Sequence, residues 1–364
     1  MKIKKVLLSN FRNFKNKSLK FSPNTTIIIG PNASGKTNIL ESLFLLSTGK
    51  SFKARVEEEM VNHYEEIARV KGEISNLKDN KSRTNLEVVL TRGKITIGAS
   101  PEKTEKVARK RLLVNGVGKR LIDFAGNIRV VFFGPHHLKI VTQSPSVRRD
   151  YLDTVLSQTD REYRRASLSY EKGLRQRNKL LYKIREEGLP RNQLLFWNKL
   201  LIKNGNCISK KRSELIEFAN NQDGLNDQIF KLDYDKSAIS EARLDQYKNE
   251  EVAAATTLVG PHRDDFIIKL KSQISKPNTS RELARFGSRG EQRMGTLWLK
   301  LVELSYIKLE TDEKPVLLLD DIFSELDHEH REVVMKEIGK QQTFITTTDP
   351  HFIEELRGVE RINL

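Results

Sequence analysis

The chain has 364 residues, 37 % hydrophobic and 31 % charged, which is enough apolar mass for a core and long enough for two lobes. A formal net charge of +16 points to a polyanionic partner, nucleic acid first. The one cysteine, Cys207, excludes an internal disulfide and a Cys-x-x-Cys metal site. No apolar stretch reaches the ~20 residues of a membrane span. The expectation is a cytoplasmic protein with no membrane partner.

Residues 3–9, 18–21 and 25–29 predict short strands. The third, Thr25-Thr26-Ile27-Ile28-Ile29, is β-branched and apolar, hence a buried strand. It runs into Gly30-Pro31-Asn32-Ala33-Ser34-Gly35-Lys36-Thr37, which fits the Gly-x-x-x-x-Gly-Lys-Ser/Thr pattern of a P-loop. Asn38 to Leu46 then read as a helix. Strand, glycine loop and helix N-terminus place successive backbone N–H groups around a bound phosphate. Gly30 through Asn38 are therefore candidate ATP-binding residues. Lys36 would reach the β- and γ-phosphates, and the Thr37 hydroxyl would ligate Mg²⁺.

Further strands are expected at Glu65–Ile74, Leu86–Leu90, Ile95–Ile97, Leu112–Val114 and Ile128–Phe133, with turns at Gly93, Gly116 and Gly118. They predict a mixed or antiparallel sheet beside the nucleotide-binding sheet. From Ser146 to about Glu251 glycine is sparse, charge is dense and apolar residues recur at helical spacing. This reads as a mostly helical lobe, interrupted at Gly188-Leu189-Pro190. One basic run there comprises Arg161, Arg164, Arg165, Lys172, Arg175, Arg177, Lys179, Lys183 and Arg185; Lys203, Lys210, Lys211 and Arg212 form a second. With Lys53 and Arg55 these are the candidate DNA contacts. Aromatics are few in these runs, which favours phosphate contacts over base stacking. A solvated helix face would look the same. No heptad is sustained, so no long coiled coil is expected.

After Thr256 come a strand at Phe266–Leu270, a helix at about Gln292–Leu309 and buried strands at 316–319 and 343–347. Val316-Leu317-Leu318-Leu319-Asp320-Asp321 reads as a Walker B strand, its carboxylates emerging where open α/β sheets bind ligands. Asp320 would hold Mg²⁺, and Asp321 would polarise the attacking water. Ahead of the preceding helix, Ser288 is a plausible N-cap and Gly290 permits close approach of an anion. Simple capping explains that segment equally well in isolation. Its distance from Asp320 is that of the signature in ABC-type ATPases, which meets the γ-phosphate held by a second subunit. Ser288 and Lys36 thus join Asp321 as candidate catalytic groups. Ser324-Glu325-Leu326-Asp327 matches the D-loop of that class and Thr348 its switch position, adding Asp327 and Thr348 to the cofactor-binding set. A threonine hydroxyl carries no charge, unlike the histidine of ABC transporters. His262 and Arg263 could be catalytic by type, but pairing of Arg263 with Asp264 or Asp265 is the simpler reading.

These segments together resemble the RecF family, the bacterial ABC-type ATPases of recombinational repair. The resemblance runs nearly end to end. It rests on Leu8-Ser9-Asn10-Phe11-Arg12-Asn13-Phe14, on Ser144 to Asp153, on Thr257-Leu258-Val259-Gly260-Pro261-His262-Arg263-Asp264-Asp265, on Gly290 to Arg293 and on Leu319 to Asp327. Asp321 and Thr348 agree with that family. One departure is Phe133-Gly134-Pro135-His136-His137, where such chains carry an acidic pair after the proline. A metal site from His136 and His137 is conceivable, although adjacent histidines seldom face one way. The resemblance implies an α/β P-loop NTPase, an SMC-type ATPase head with a mostly helical second lobe and no long coiled coil. The expected division is 1–140 with 310–364 as the ATPase lobe, and 141–309 as the lobe carrying the signature. It also implies ATP-driven dimerisation, ATP-dependent binding of duplex or gapped DNA, weak DNA-stimulated hydrolysis, and help in loading RecA with RecO and RecR.

Three other functions fit the P-loop less well. A transporter ATPase subunit predicts a membrane partner and a shorter path from Lys36 to Ser288. A small-molecule kinase leaves the segments at 288–293 and 324–327 without a role. A nuclease fused to an ATPase head needs more chain after Asp349.

Overall fold

The computed structural model describes residues 1–75, 83–96, 104–271, 280–349, 351, 356 and 358–364. Ile97, expected to end a strand, lies outside them. The chain forms two compact units, Met1–His137 with Glu303–Leu364, and Leu138–Val302.

The first unit begins with β1 (Lys2–Phe11), β2 (Phe14–Lys20), β3 (Thr25–Ile29) and α1 (Lys36–Thr48). There follow β4 (Ile67–Ser75), β5 (Arg83–Thr91), β6 (Lys94–Thr96), β7 (Thr104–Lys106), β8 (Lys110–Val114), β9 (Val117–Lys119), α2 (Leu121–Phe124) and β10 (Val130–Phe133). The end of the chain returns β14 (Val316–Asp320), α10 (His328–Glu337), β15 (Thr343–Thr347) and β16 (Glu360–Asn363). One sheet is antiparallel, in the order β2-β1-β4-β5-β8-β9. A second is parallel, in the order β10-β14-β15-β3-β16, and β6 and β7 pair as a separate two-stranded sheet.

Composition explains the difference between the sheets. Strands β10, β14 and β15 are buried at every position, which suits parallel strands covered on both faces. Strand β4 instead alternates buried and open positions over most of its length. Helix α1 shares one core with both sheets. Leu40, Leu43 and Leu46 belong to the same cluster as Val6, Val70 and Val88 of the antiparallel sheet and Ile28, Leu318 and Phe344 of the parallel one. A helix apolar on nearly all sides needs such a setting. Each buried leucine or isoleucine contributes ~1.5–3 kcal/mol, against ~0–1 for a surface ion pair, so burial fixes where α1 lies.

The second unit holds α3 (Pro145–Thr159), α4 (Arg161–Glu187), α5 (Leu195–Asn220), β11 (Ile229–Asp235), α6 (Glu241–Gln246), α7 (Lys248–Ala254), β12 (Asp265–Lys271), β13 (Ser280–Glu282), α8 (Leu283–Phe286) and α9 (Arg289–Thr311), along which the chain passes back to the first unit. Helices α4 and α5 run antiparallel, with Asn204 against Ser169, Leu201 against Gly173 and Asn198 against Arg177. The stretch expected to be helical to about Glu251 contains a strand, β11, paired with β12. Phe230 and Leu232 are buried there while Asp233 is exposed, and Phe230, Leu232 and Tyr234 alternate with Lys231, Asp233 and Asp235, a period-two signal that the helical reading of the surrounding stretch passes over.

Buried ion pairs organise this unit. Arg177 and Glu251 meet at 2.6 Å with side chains 2 % and 0 % exposed, and Arg177 also donates to Asn198 and Thr257. Arg212 donates to both Asp264 and Asp153, and Tyr234 donates to Asp264. Arg148 grips Asp265 with two parallel hydrogen bonds. Arg177 and Arg212 therefore face inward, correcting their assignment to DNA-binding runs. Arg263 does not take Asp264 or Asp265 as expected; it donates to the Thr257 carbonyl.

Removing one partner of such a pair strands a desolvated charge. Glu251→Ala is expected to lower stability by ~3–5 kcal/mol. The double substitution Arg177→Met/Glu251→Leu is expected to cost less than Glu251→Ala alone. Chemical denaturation of both variants checks the difference.

Candidate nucleotide site

Residues 30–37 link β3 to α1 and end the parallel sheet on the side where Asp320 emerges. Ala33 (φ 65°) and Gly35 (φ 106°) are left-handed, which turns successive backbone N–H groups inward. Glycine is needed at 35 on two counts. Its dihedral disfavours a side chain, and a Cβ there would lie 2.6 Å from the Phe14 ring and 2.7 Å from the Asn13 amide. Pro31, Asn32 and Ala33 form an exposed rim, while Lys36 is buried. The Lys36 ammonium donates to the Gly30 and Pro31 carbonyls at 2.7 and 2.9 Å. Ser34 Oγ is buried without a hydrogen-bond partner among the described residues. A loop with an orphaned hydroxyl, a curled backbone and an ammonium fits a phosphate chain.

The Thr37 hydroxyl donates to Asp320 Oδ1 at 2.9 Å, and the Thr346 hydroxyl donates to the same oxygen at 2.7 Å. Burial pushes the Asp320 carboxyl above its ordinary pKa; the Thr346 and Thr37 hydroxyls oppose that, and neighbouring Asp321 reinforces it. A hydroxyl and a carboxylate brought together at the P-loop suit Mg²⁺, an oxygen-seeking cation. Asp321 is left-handed (φ 48°), and its N–H is taken by the Thr346 carbonyl. A Cβ on Gly134 would lie 3.5 Å from the Asp320 Cβ and 3.6 Å from His136 Nδ1, so this imidazole borders the Walker B carboxylate. The His137 Nδ1 accepts the Gly134 N–H, so that nitrogen is not open to a metal.

The turn between β1 and β2 covers the loop from the other side. Asn13 donates to the Ser34 carbonyl at 3.1 Å and accepts from Asn38 at 2.9 Å. Next to it opens a cavity of about 460 Å³ lined by Arg12, Asn13, Asn38, Lys53, His63 and Arg92 among others.

The sequence profile described as RecF/RecN/SMC N terminal domain matches residues 2–363. The DNA replication and repair protein RecF of Herpetosiphon aurantiacus is 34 % identical, covering 98 % of this chain and 97 % of its own length. That of Acetivibrio thermocellus is 35 % identical over 97 % and 95 %. The chain belongs to the RecF family. Solved structures of the recombination mediator protein RecF in the RecFOR pathway, with ATPrS and with ATP, superpose with TM-scores of 0.83 and 0.84 at 32 % and 31 % identity. The ATPrS complex covers 97 % of this chain and 94 % of its own, and the ATP complex 97 % and 93 %. An SMC head bound to the C-winged helix domain of ScpA shares the fold, with a TM-score of 0.50 at 15 % identity over 100 % of this chain and 95 % of its own.

Within this RecF-family chain the remaining candidates are distributed as follows. Ser288 precedes α9, and its hydroxyl accepts the Glu291 N–H while Glu291 accepts the Ser288 N–H, a reciprocal cap. Gly290 lies in the first turn of α9. Asp327 caps α10 by accepting the His330 N–H. Thr348 is exposed just beyond β15. Lys53 sits beside the P-loop, 3.5 Å from the Asn38 side chain, and Arg55 is exposed. On α4, Arg161, Arg165, Lys172, Arg175 and Lys179 are exposed and Lys183 half-buried, with Arg175 paired to Glu171 and Lys183 to Glu187. Arg164 departs from the expected face, turning to the Ser157 carbonyl. Lys211 is engaged by Asp160 and Glu214. His262 is half-buried against Tyr170, and burial lowers its pKa to about 4, so its imidazole is neutral at pH 7.

Sequence reasoning misses Thr346 and Asn13 as site residues. Thr346 stands two residues before Thr348 in a strand of threonine-rich positions, where nothing marks which hydroxyl meets Asp320. Asn13 is visible only as part of the RecF-family opening.

A raised carboxyl pKa has a defined sign. The ionised form is disfavoured in the folded protein, so the stabilising contribution exists below the ordinary carboxylate pKa and is lost as pH rises through the folded value. Asp320→Asn keeps an acceptor for Thr37 and Thr346. It is expected to raise the Tm of the nucleotide-free protein at pH 7, with the gain shrinking as pH falls towards 4. Thermal melts over that range check it.

Proposed function

We propose that this chain is an ATP-gated DNA-binding protein of recombinational repair, working in the cytoplasm. The observation that carries the reading is the meeting of Thr37 and Asp320, 2.9 Å apart, beside the P-loop. Lys36 and the backbone N–H groups of residues 33–37 bind the phosphates. Thr37 and Asp320 would hold Mg²⁺, which would neutralise charge on the β- and γ-phosphates. Asp321 orients water for slow hydrolysis. Ser288 and Gly290 of a second copy complete each site, with Asp327 and Thr348 at its edge, so the triphosphate joins two chains.

DNA is held through phosphates. Arg161, Arg165, Lys172, Arg175 and Lys179 recur every three, four or seven residues and share one stripe of α4, with Lys183 continuing it. At 1.5 Å per residue the stripe is ~33 Å long, close to one turn of B-DNA. RecO and RecR are partners through membership of the same pathway, and RecA loading at gaps is the outcome.

Two substitutions separate the steps. Lys36→Ala is expected to abolish nucleotide binding and dimers together. Ser288→Arg is expected to preserve ATP binding by the monomer and prevent dimers. Sedimentation with a non-hydrolysable analogue checks both; normal dimers of Ser288→Arg would refute the shared site. Lys172→Glu/Lys179→Glu is expected to lower the slope of log affinity against log salt by ~0.9 for each DNA phosphate that is no longer neutralised, measured by anisotropy on duplex DNA.

A further inference from the structure

We infer that Arg12 and Glu41 are positioning residues for the nucleotide, acting through Asn13 on the P-loop. The inference rests on the nucleotide reading of residues 30–37 and adds a mechanism that controls how well that loop binds.

Glu41 is the one acid in α1, a turn beyond Thr37, and its side chain is 0 % exposed. A carboxylate in such a place is unfavourable unless both oxygens are satisfied. Arg12 satisfies them with a fork: Nε to Oε2 at 2.8 Å and Nη2 to Oε1 at 2.6 Å. The Ser51 hydroxyl adds a third donor at 2.5 Å. Ser51 Oγ itself accepts from the Lys53 and Ala54 amides, which fixes the segment carrying Lys53. The remaining Arg12 nitrogen, Nη1, donates to the Glu59 carbonyl at 2.6 Å.

Arg12 sits in the β1–β2 turn with a left-handed backbone (φ 53°), and Asn10, near the end of β1, is left-handed too (φ 52°). Such dihedrals cost a non-glycine residue energy and persist only when surroundings enforce them. The fork to Glu41 is the enforcement, supported by the Arg12 N–H donating to the Met60 carbonyl and the Asn62 side chain donating to the Arg12 carbonyl. The next residue is Asn13, whose amide grips the Ser34 carbonyl and whose side-chain carbonyl accepts from Asn38 at the start of α1. The turn also fills the space that Gly35 leaves vacant. The P-loop is therefore held between its own helix and a hairpin that the same helix anchors. A lysine at 12 would keep the charge and lose the fork.

The test uses the full chain and a non-hydrolysable ATP analogue, titrated calorimetrically with Mg²⁺, beside a Tm for every variant. Asn13→Ala, exposed and outside the ion pair, is expected to weaken analogue binding about tenfold with Tm unchanged, the scale of one hydrogen bond. Arg12→Lys is expected to weaken it similarly, and Asn13→Ala added to Arg12→Lys is expected to cost little more, because both break one linkage. Parental affinity in Asn13→Ala would overturn the inference, as would effects that simply add, since Asn13 would then act on the nucleotide by itself. A parental chain that binds no analogue overturns the nucleotide reading instead, and so is told apart from these outcomes.

Discussion

One carboxylate oxygen, Asp320 Oδ1, receives hydroxyls from two different parts of the first unit: Thr37 from the start of α1 and Thr346 from β15. The order β10-β14-β15-β3 makes that meeting possible, because parallel strands deliver their carboxyl ends to one edge. Apolar burial sets the strands, and the strands set the hydroxyls. What results is a charge kept in partial isolation from water, which a divalent cation would relieve. The site is thus an unfavourable arrangement for the bare protein, one that a bound cation and phosphate would relieve.

The second unit uses buried charge differently. Arg177, Arg212 and Arg148 each satisfy an acid that comes from a distant part of the sequence, and Asp264 and Asp265 collect two of them. Pairs of this kind add little net stability against apolar substitutes, but they penalise every alternative packing in which one partner is left alone. They fasten the loop at 257–265 to helices α3, α4 and α5. The exposed cations of α4 are what remains after this internal demand is met.

The strand–loop–helix at 25–46 and the apolar run at 316–319 are legible in the sequence because each carries its signal locally, in periodicity and glycine placement. The helical lobe is legible in outline for the same reason. The inward arginines are not. Arg177 lies in the same basic run as Arg175, and only the distant Glu251 decides that one is buried and the other exposed. Strand β11 carries its alternation from Phe230 to Asp235 inside a charged stretch that otherwise reads as helix, and β16 has too few residues to show a pattern. The reach of Thr346 to Asp320, and of Asn13 to Ser34, depends on pairing between strands far apart in the chain, which no window of sequence contains.

The parallel sheet has a bearing on how the molecule is made. Strand β3, which feeds the P-loop, is flanked by β15 and β16 and by no strand synthesised near it. On the ribosome it emerges early and must wait, unpaired, while the whole intervening unit is translated. Long-range parallel pairing is slow to form, and an idle apolar edge invites association with other nascent chains. Competence for ligand thus arrives late in synthesis, and chaperone protection of the early strand is the need that this topology creates.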